Sequence, residues 1–151
     1  MPDDLREHCI FCDILRNEAP AHKIADNELS LAILDIQPLA RGHCLVIPKR
    51  HVQWWHEMTV AETASLFTLA REVALRIERE LRPEMVMIYA RGKRIPHTHL
   101  FVVPTSTGDA VDRHFNALEG WQESAGNAAE LADQANLART ADLLRTHEED
   151  R

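Results

Sequence analysis

The sequence predicts an α+β fold with a largely antiparallel sheet, on three observations. Short β-rich apolar runs outnumber helical stretches. Two of them, 29–34 (Leu-Ser-Leu-Ala-Ile-Leu) and 43–48 (His-Cys-Leu-Val-Ile-Pro), are joined by a segment carrying Gln37, Pro38 and Gly42, as in a hairpin. Strands and helices do not alternate as βαβ units. Residues 23–25 add a candidate edge strand ahead of that hairpin. Thr59-x-x-Glu62 is a capping box, in which a hydroxyl and a carboxylate reciprocally satisfy the free amides at a helix start. Ala64, Phe67, Ala70, Ala74, Ile77 and Leu81 follow at helical spacing, and Pro83 ends the helix because the residue before a proline avoids helical geometry. Residues 84–90, containing Met-Val-Met-Ile-Tyr, predict the next strand, and 97–103 the last, with the basic turn Arg91-Gly92-Lys93-Arg94 between them. Beyond a Thr-Ser-Thr-Gly-Asp loop, an alanine-rich helix is predicted over 128–144, preceded by Asn127 with Glu130 three places on. The charged tail 147–151 is expected to fray.

At 151 residues, 45% apolar and 27% charged, the chain has the length and balance of one globular domain, expected to span 1–151. A net charge of −7 argues against a nucleic-acid polymer as partner, since backbone binding draws on many Lys and Arg contacts. No stretch has the basic and apolar make-up of a leader, and none approaches the ~20 apolar residues of a membrane span, so no membrane partner and a cytoplasmic location are expected.

The most chemically informative segment is Pro96-His97-Thr98-His99-Leu100-Phe101-Val102-Val103-Pro104. On an extended strand His97, His99 and Phe101 share one face, and Pro96 and Pro104 bound the run. Imidazole serves as nucleophile, proton carrier or metal ligand, but two histidines on a strand are equally compatible with a solvated polar face. Three cysteines cannot all pair; Cys9-x-x-Cys12 has a spacing typical of metal or redox sites, whereas Cys44 sits in an apolar run and reads as a buried thiol.

Three separated blocks, Cys9-x-x-Cys12, the segment 35–51 (Asp-Ile-Gln-Pro-Leu-Ala-Arg-Gly-His-Cys-Leu-Val-Ile-Pro-Lys-Arg-His) and Gly92-x-x-x-Pro96-His97-x-His99, together resemble the histidine triad (HIT) family, nucleotidyl hydrolases and transferases, over residues 9–104. The resemblance implies a HIT-like fold of about five strands with one main helix on the sheet, and a homodimer; the C-terminal helix expected over 128–144 lies in the extension 105–151, beyond the matched residues. It implies that Cys9, Cys12, His51 and His97 hold a structural zinc of the bacterial type. Four such ligands fill a tetrahedral zinc and leave no open position. It implies that His99 attacks an α-phosphorus to give a covalent nucleotidyl-histidine, so that one difficult displacement becomes two easier ones. The substrate implied is a small nucleotide derivative, a nucleoside phosphoramidate or a dinucleoside polyphosphate. Asp35 matches the carboxylate that accepts from ribose hydroxyls, though an Asp also opens turns such as Ile36-Gln37-Pro38. Phe11, Ile14, Ile33 and Ile36 match apolar positions around the base, each of them equally compatible with core packing. His43 matches a histidine packed near the active strand.

The chain departs from the family pattern where a third histidine is expected, because Phe101 stands there and can neither donate nor carry a proton. Gly-Gln before the histidines is altered to Gly92-Lys93. Arg91, Lys93 and Arg94 offer cations on the loop that in the family approaches the phosphates, and are also compatible with a solvated turn. His114 is a further candidate stand-in for the missing imidazole. Two readings from different classes therefore follow: a working nucleotidyl enzyme, and a nucleotide-binding protein that keeps fold and zinc while losing turnover.

Overall fold

The computed structural model describes residues 8–124, 126 and 128–145; Asn127 and the tail 147–151 lie outside the described residues. The chain divides after Val111 into two compact units.

The first unit is a five-stranded, fully antiparallel sheet in the order β1-β2-β3-β5-β4, from β1 (Lys23–Asp26), β2 (Ser30–Leu34), β3 (Cys44–Pro48), β4 (Met85–Ala90) and β5 (Leu100–Thr105). The hairpin read from the sequence is the β2–β3 pair, with Leu34 opposite Cys44 and Ser30 opposite Pro48. Gly42 closes its loop at φ +91°, a left-handed conformation, and a Cβ there would lie 2.3 Å from Leu81 Cδ1. Only glycine suits both constraints.

The long helix α2 (Val60–Leu81) covers one face of the sheet. Its capping box is complete: the Thr59 hydroxyl accepts from the Glu62 amide and Glu62 accepts from the Thr59 amide. The buried stripe is Leu66, Leu69, Ala70, Val73 and Ile77, packed on Ala32, Cys44, Val46, Leu100 and Val102. The expected stripe through Ala64 and Phe67 is corrected, since Phe67 is 44% exposed and the helix is rolled toward Leu66 and Val73. Glu62 is also buried, and Arg50 reaches it with Nε at 2.6 Å and a second nitrogen at 2.8 Å.

A short helix not read from the sequence, α1 (Ile10–Leu15), packs Phe11, Cys12 and Ile14 onto the other face, over Leu31, Ile33, Leu45 and Ile47. Six residues give too little periodicity to detect. The last strand also differs from expectation. β5 begins at Leu100 rather than 97, and it runs through Pro104 to Thr105. The proline is tolerated because β3 pairs with β5 only from Leu100 to Val102, so at Pro104 one side of the strand has no ladder to complete.

The second unit, from Asp112, is helical. Helix α3 (Ala110–Glu123), which the sequence reading left without structure, is followed by α4 (Ala129–Ala132) and α5 (Gln134–Arg145). The continuous helix expected over 128–144 is broken at Asp133, whose extended backbone (φ −57°, ψ 131°) separates α4 from α5 and whose carboxylate accepts from the Asn136 amide. Neither α4 nor α5 carries a buried residue. Among the described residues no helix is long and apolar enough to cross a membrane.

Candidate functional site

The segment 95–99 is held by a local turn and by bonds to the 52–53 loop rather than by sheet pairing. The His97 amide donates to Ile95 O at 2.8 Å across Pro96, whose fixed φ favours so tight a turn. Thr98, 2% exposed, donates its amide to Val52 O at 2.6 Å and its hydroxyl to Gln53 O at 3.0 Å. Those bonds fix the two histidines on either side of Thr98.

His97 is fully buried, and its Nε2–H donates to Pro48 O at 2.8 Å. The bond selects the tautomer that leaves a lone pair on Nδ1, and Nδ1 faces Cys9 Sγ at 3.5 Å and Cys12 Sγ at 3.6 Å. His51 Nδ1 completes the group, 3.2 Å from Cys12 Sγ. The four donor atoms all lie within 4.8 Å of one another, so this cluster could hold a metal ion. Burial and the neighbouring Cys9 raise the Cys12 thiol to about 11, and burial lowers His97 to about 4. A thiol held that high gives up its proton only when a cation replaces it. Cys9, Cys12 and Cys44 are free thiols, and burial raises Cys44 to about 11 as well, which suits an inert thiol.

His99 is tied in the complementary sense. Its Nδ1–H donates to His97 O at 2.7 Å, so the nitrogen left for chemistry is Nε2, and burial lowers the ring's proton affinity, keeping a lone pair on that nitrogen near neutrality. Phe11 meets both rings edge-on, at 5.7 Å from His97 and 5.2 Å from His99.

His99 lines a cleft of about 580 Å³. Of the residues expected around a substrate, Phe11, Ile14, Asp35, Ile36, His43, Lys93 and Arg94 all border it. Ile33 does not: it is 3% exposed and packs beneath α1, a core position by virtue of facing Cys12 and Ile14 from the middle of β2. The cleft lining is mixed: Ile10, Phe11, Ile14, Ala21 and Ile36 are apolar, and Arg91, Lys93 and Arg94 are cationic. Asp35 holds its turn and faces the cleft at once, since one carboxylate oxygen accepts from the Gln37 amide at 2.8 Å while the other stands 3.6 Å from His43 Nε2. His43, 1% exposed, accepts the Leu39 amide at Nδ1, which places its proton on Nε2. Its burial opposes a second proton, against the pull of Asp35.

Phe101 is half-buried in the cleft wall, 5.0 Å from the His99 ring and 5.4 Å from His43. Tyr89, its cross-strand partner on β4, stacks on it at 4.4 Å with the rings 5° from parallel. Tyr89 was not singled out in the sequence, because its proximity follows from the β4–β5 register, which composition does not reveal. His114 lies on α3 in the second unit.

The HIT domain family model matches residues 16–108. An adenosine 5′-monophosphoramidase of Schizosaccharomyces pombe is 36% identical over 101 residues, 64% of this chain and 73% of that protein. Among solved structures, a HIT family protein of Bacillus anthracis superposes with a TM-score of 0.74 at 25% identity, over 91% of this chain and 95% of that one. A zinc-bound histidine triad family protein of Mycobacterium smegmatis superposes at 0.64 with 27% identity, over 76% and 98%. The chain belongs to the HIT domain family.

Proposed function

We propose that this chain is a nucleotide hydrolase or transferase that acts at the α-phosphate through a nucleotidyl-histidine on His99. The observation that carries the reading is the tautomer: Nδ1–H is committed to His97 O, and the remaining nitrogen belongs to a ring lining a cleft that is bordered by both apolar and cationic side chains. A base suits the apolar side chains Phe11, Ile14 and Ile36, and the Asp35 carboxylate, which borders the same cleft, suits ribose hydroxyls. As Nε2 bonds to phosphorus, the bond from phosphorus to the leaving group breaks and its electron pair departs with that group; the ring becomes cationic, and its Nδ1–H bond to the carbonyl strengthens as that charge appears. Water then opens the P–N bond; the imidazole recovers its electron pair and the water's proton passes to solvent. The monophosphoramidase named above, a relative at 36% identity, supports chemistry of this class.

Cys9, Cys12, His51 and His97 would hold zinc. The S···N edge of a tetrahedral zinc site is about 3.5 Å from ordinary bond lengths, and the spacings of 3.5, 3.6 and 3.2 Å fit that edge. Zinc held by those four residues would supply a closed structural cross-link rather than a reacting water, and the zinc-bound mycobacterial neighbour supports zinc as the metal. The same reading includes a homodimer and a cytoplasmic location. β4 is an edge strand with Met85 and Ile88 exposed, a ladder that a second copy can cover, and three free thiols suit a reducing compartment.

Nucleotide binding without turnover is a second reading, favoured by one observation: the position next to the nucleophile is a phenyl ring stacked on Tyr89. Intact-protein mass spectrometry after brief exposure to adenosine 5′-phosphosulfate or adenosine 5′-phosphoramidate separates the two. A mass gain of one adenylyl group, absent in His99→Ala, is expected. Tight binding with neither adduct nor product over long incubation would overturn the proposal in favour of the second reading.

A further inference from the structure

We propose that the cleft selects substrates whose departing group leaves as a stable oxyanion, nucleotidyl anhydrides of sulfate, phosphate or another nucleotide, and discriminates against those whose departing group is an amine. The proposal rests on His99 as the nucleophile and names the substrate class of that same site.

The ring beside the nucleophile can donate nothing. Phe101 stands 5.0 Å from His99, flanked by Tyr89 on one side and His43 on the other. His43 carries a single proton, directed toward Asp35, and its burial works against a second. Along the same cleft Arg91, Lys93 and Arg94 are exposed, and among the described residues none of them pairs with a carboxylate. Gly92 pins their loop: at φ +63° it is left-handed, and a Cβ there would come within 3.1 Å of Gln53 O. A guanidinium stabilises an oxyanion by charge and paired N–H bonds while keeping its own protons. The cations and the phenyl ring therefore combine stabilisation of a leaving anion with the absence of a proton donor at the position next to the nucleophile.

The chemistry follows from that combination. When Nε2 bonds to the α-phosphorus of an anhydride, the P–O bond to the leaving group breaks and its electron pair goes to sulfate or phosphate, which needs no proton. When the leaving group is an amine, the P–N electron pair must go to a nitrogen that departs only if protonated, and that proton has to come from an acid at the site.

The test is the single-turnover rate of adenylyl transfer to the zinc-loaded protein from adenosine 5′-phosphosulfate, from adenosine 5′-phosphoramidate and from the 4-nitrophenyl ester of AMP. The phosphosulfate is expected to react at least a hundredfold faster than the phosphoramidate. Phe101→His, with Phe101→Gln as a second variant should the first fold poorly, is expected to narrow that ratio at least tenfold by raising the phosphoramidate rate. The Arg91→Ala/Arg94→Ala double variant is expected to lower the phosphosulfate rate relative to the nitrophenyl ester at least tenfold. Equal rates for phosphosulfate and phosphoramidate in the parent would overturn the proposal, and loss of that parity in Tyr89→Phe would make the phenol the missing acid. A ratio unmoved in both Phe101 variants would overturn it too. Adducts formed equally fast leave His99 standing while this selection fails; no adduct from any of the three substrates brings down the nucleophile itself.

Discussion

The two flanks of His99 are built on different principles. On the His97 side every polar atom has a directed role: Nε2–H to Pro48, Nδ1 to the sulfur cluster, the carbonyl to His99, and Thr98 beside it tied to Val52 and Gln53. On the Phe101 side the contacts are aromatic faces and edges, and the charge is carried by exposed cations on a neighbouring loop. Orientation of a nucleophile demands fixed hydrogen bonds, because a misplaced lone pair loses the reaction outright. Stabilisation of a departing anion tolerates rearrangement, since charge acts over distance and from several positions. One flank is thus constrained atom by atom, and the other has room to differ.

The largest effect that would sharpen this contrast is at the cluster. Cys12→Ser is expected to lose metal, read by mass spectrometry under native conditions, and to lower Tm by roughly 10 °C, taking about 3 kcal/mol at roughly 4 °C per kcal/mol. If Tm and metal content stayed unchanged, the cluster would not be a cross-link. Next comes Thr98→Val, which removes the hydroxyl bond to Gln53 O and leaves that carbonyl short of a donor; a stability loss of about 1–2 kcal/mol by urea denaturation is expected. Turnover should suffer in kcat more than in KM, because the change loosens the seat of His99 without touching the cleft wall. Phe101→Leu, on the other flank, is expected to cost stability on a similar scale while leaving adduct formation from an activated substrate within tenfold of the parent.

A smaller effect lies behind the His97 flank, where Arg50, next to His51, grips Glu62. Its guanidinium and the cap at Thr59 hold the Glu62 carboxyl down at about 2. A carboxyl depressed in the folded state stabilises it fully above its ordinary range and loses that contribution as pH falls from about 4.5 toward 2. Because Arg50 is half exposed, the gain is expected to be only about 1–2 kcal/mol. The stability difference between the parent and Glu62→Gln should therefore be constant above pH 5 and shrink steadily below it; a difference that grew on acidification would contradict the assignment.

Much of the first unit was legible because its signals are local. Thr59 and Glu62 announce a helix start in four residues, and the apolar runs around Leu31 and Val46 are bounded by turn residues. The cluster was legible only through resemblance, since nothing in the spacing of Cys12, His51 and His97 says that three elements bring them together. Helix α1 is too short for periodicity, and helix α3 escapes notice because Val111 is its one buried residue, which leaves no stripe to read. Ile33 reads as a base-lining position only through resemblance, with core packing as the equal alternative, and the alternation of β2 packs it beneath α1 beside Phe11 and Ile14. Pro104 misled because a rule about paired strands was applied where the pairing partner had already ended.

His97 touches the sulfurs with its ring and the neighbouring imidazole with its main chain. A single peptide unit thereby serves as a mechanical link between two chemistries: strain that rotates this ring to follow a displaced sulfur would swing the carbonyl as well, and the reactive nitrogen would lose its aim before the sheet lost any of its pairing.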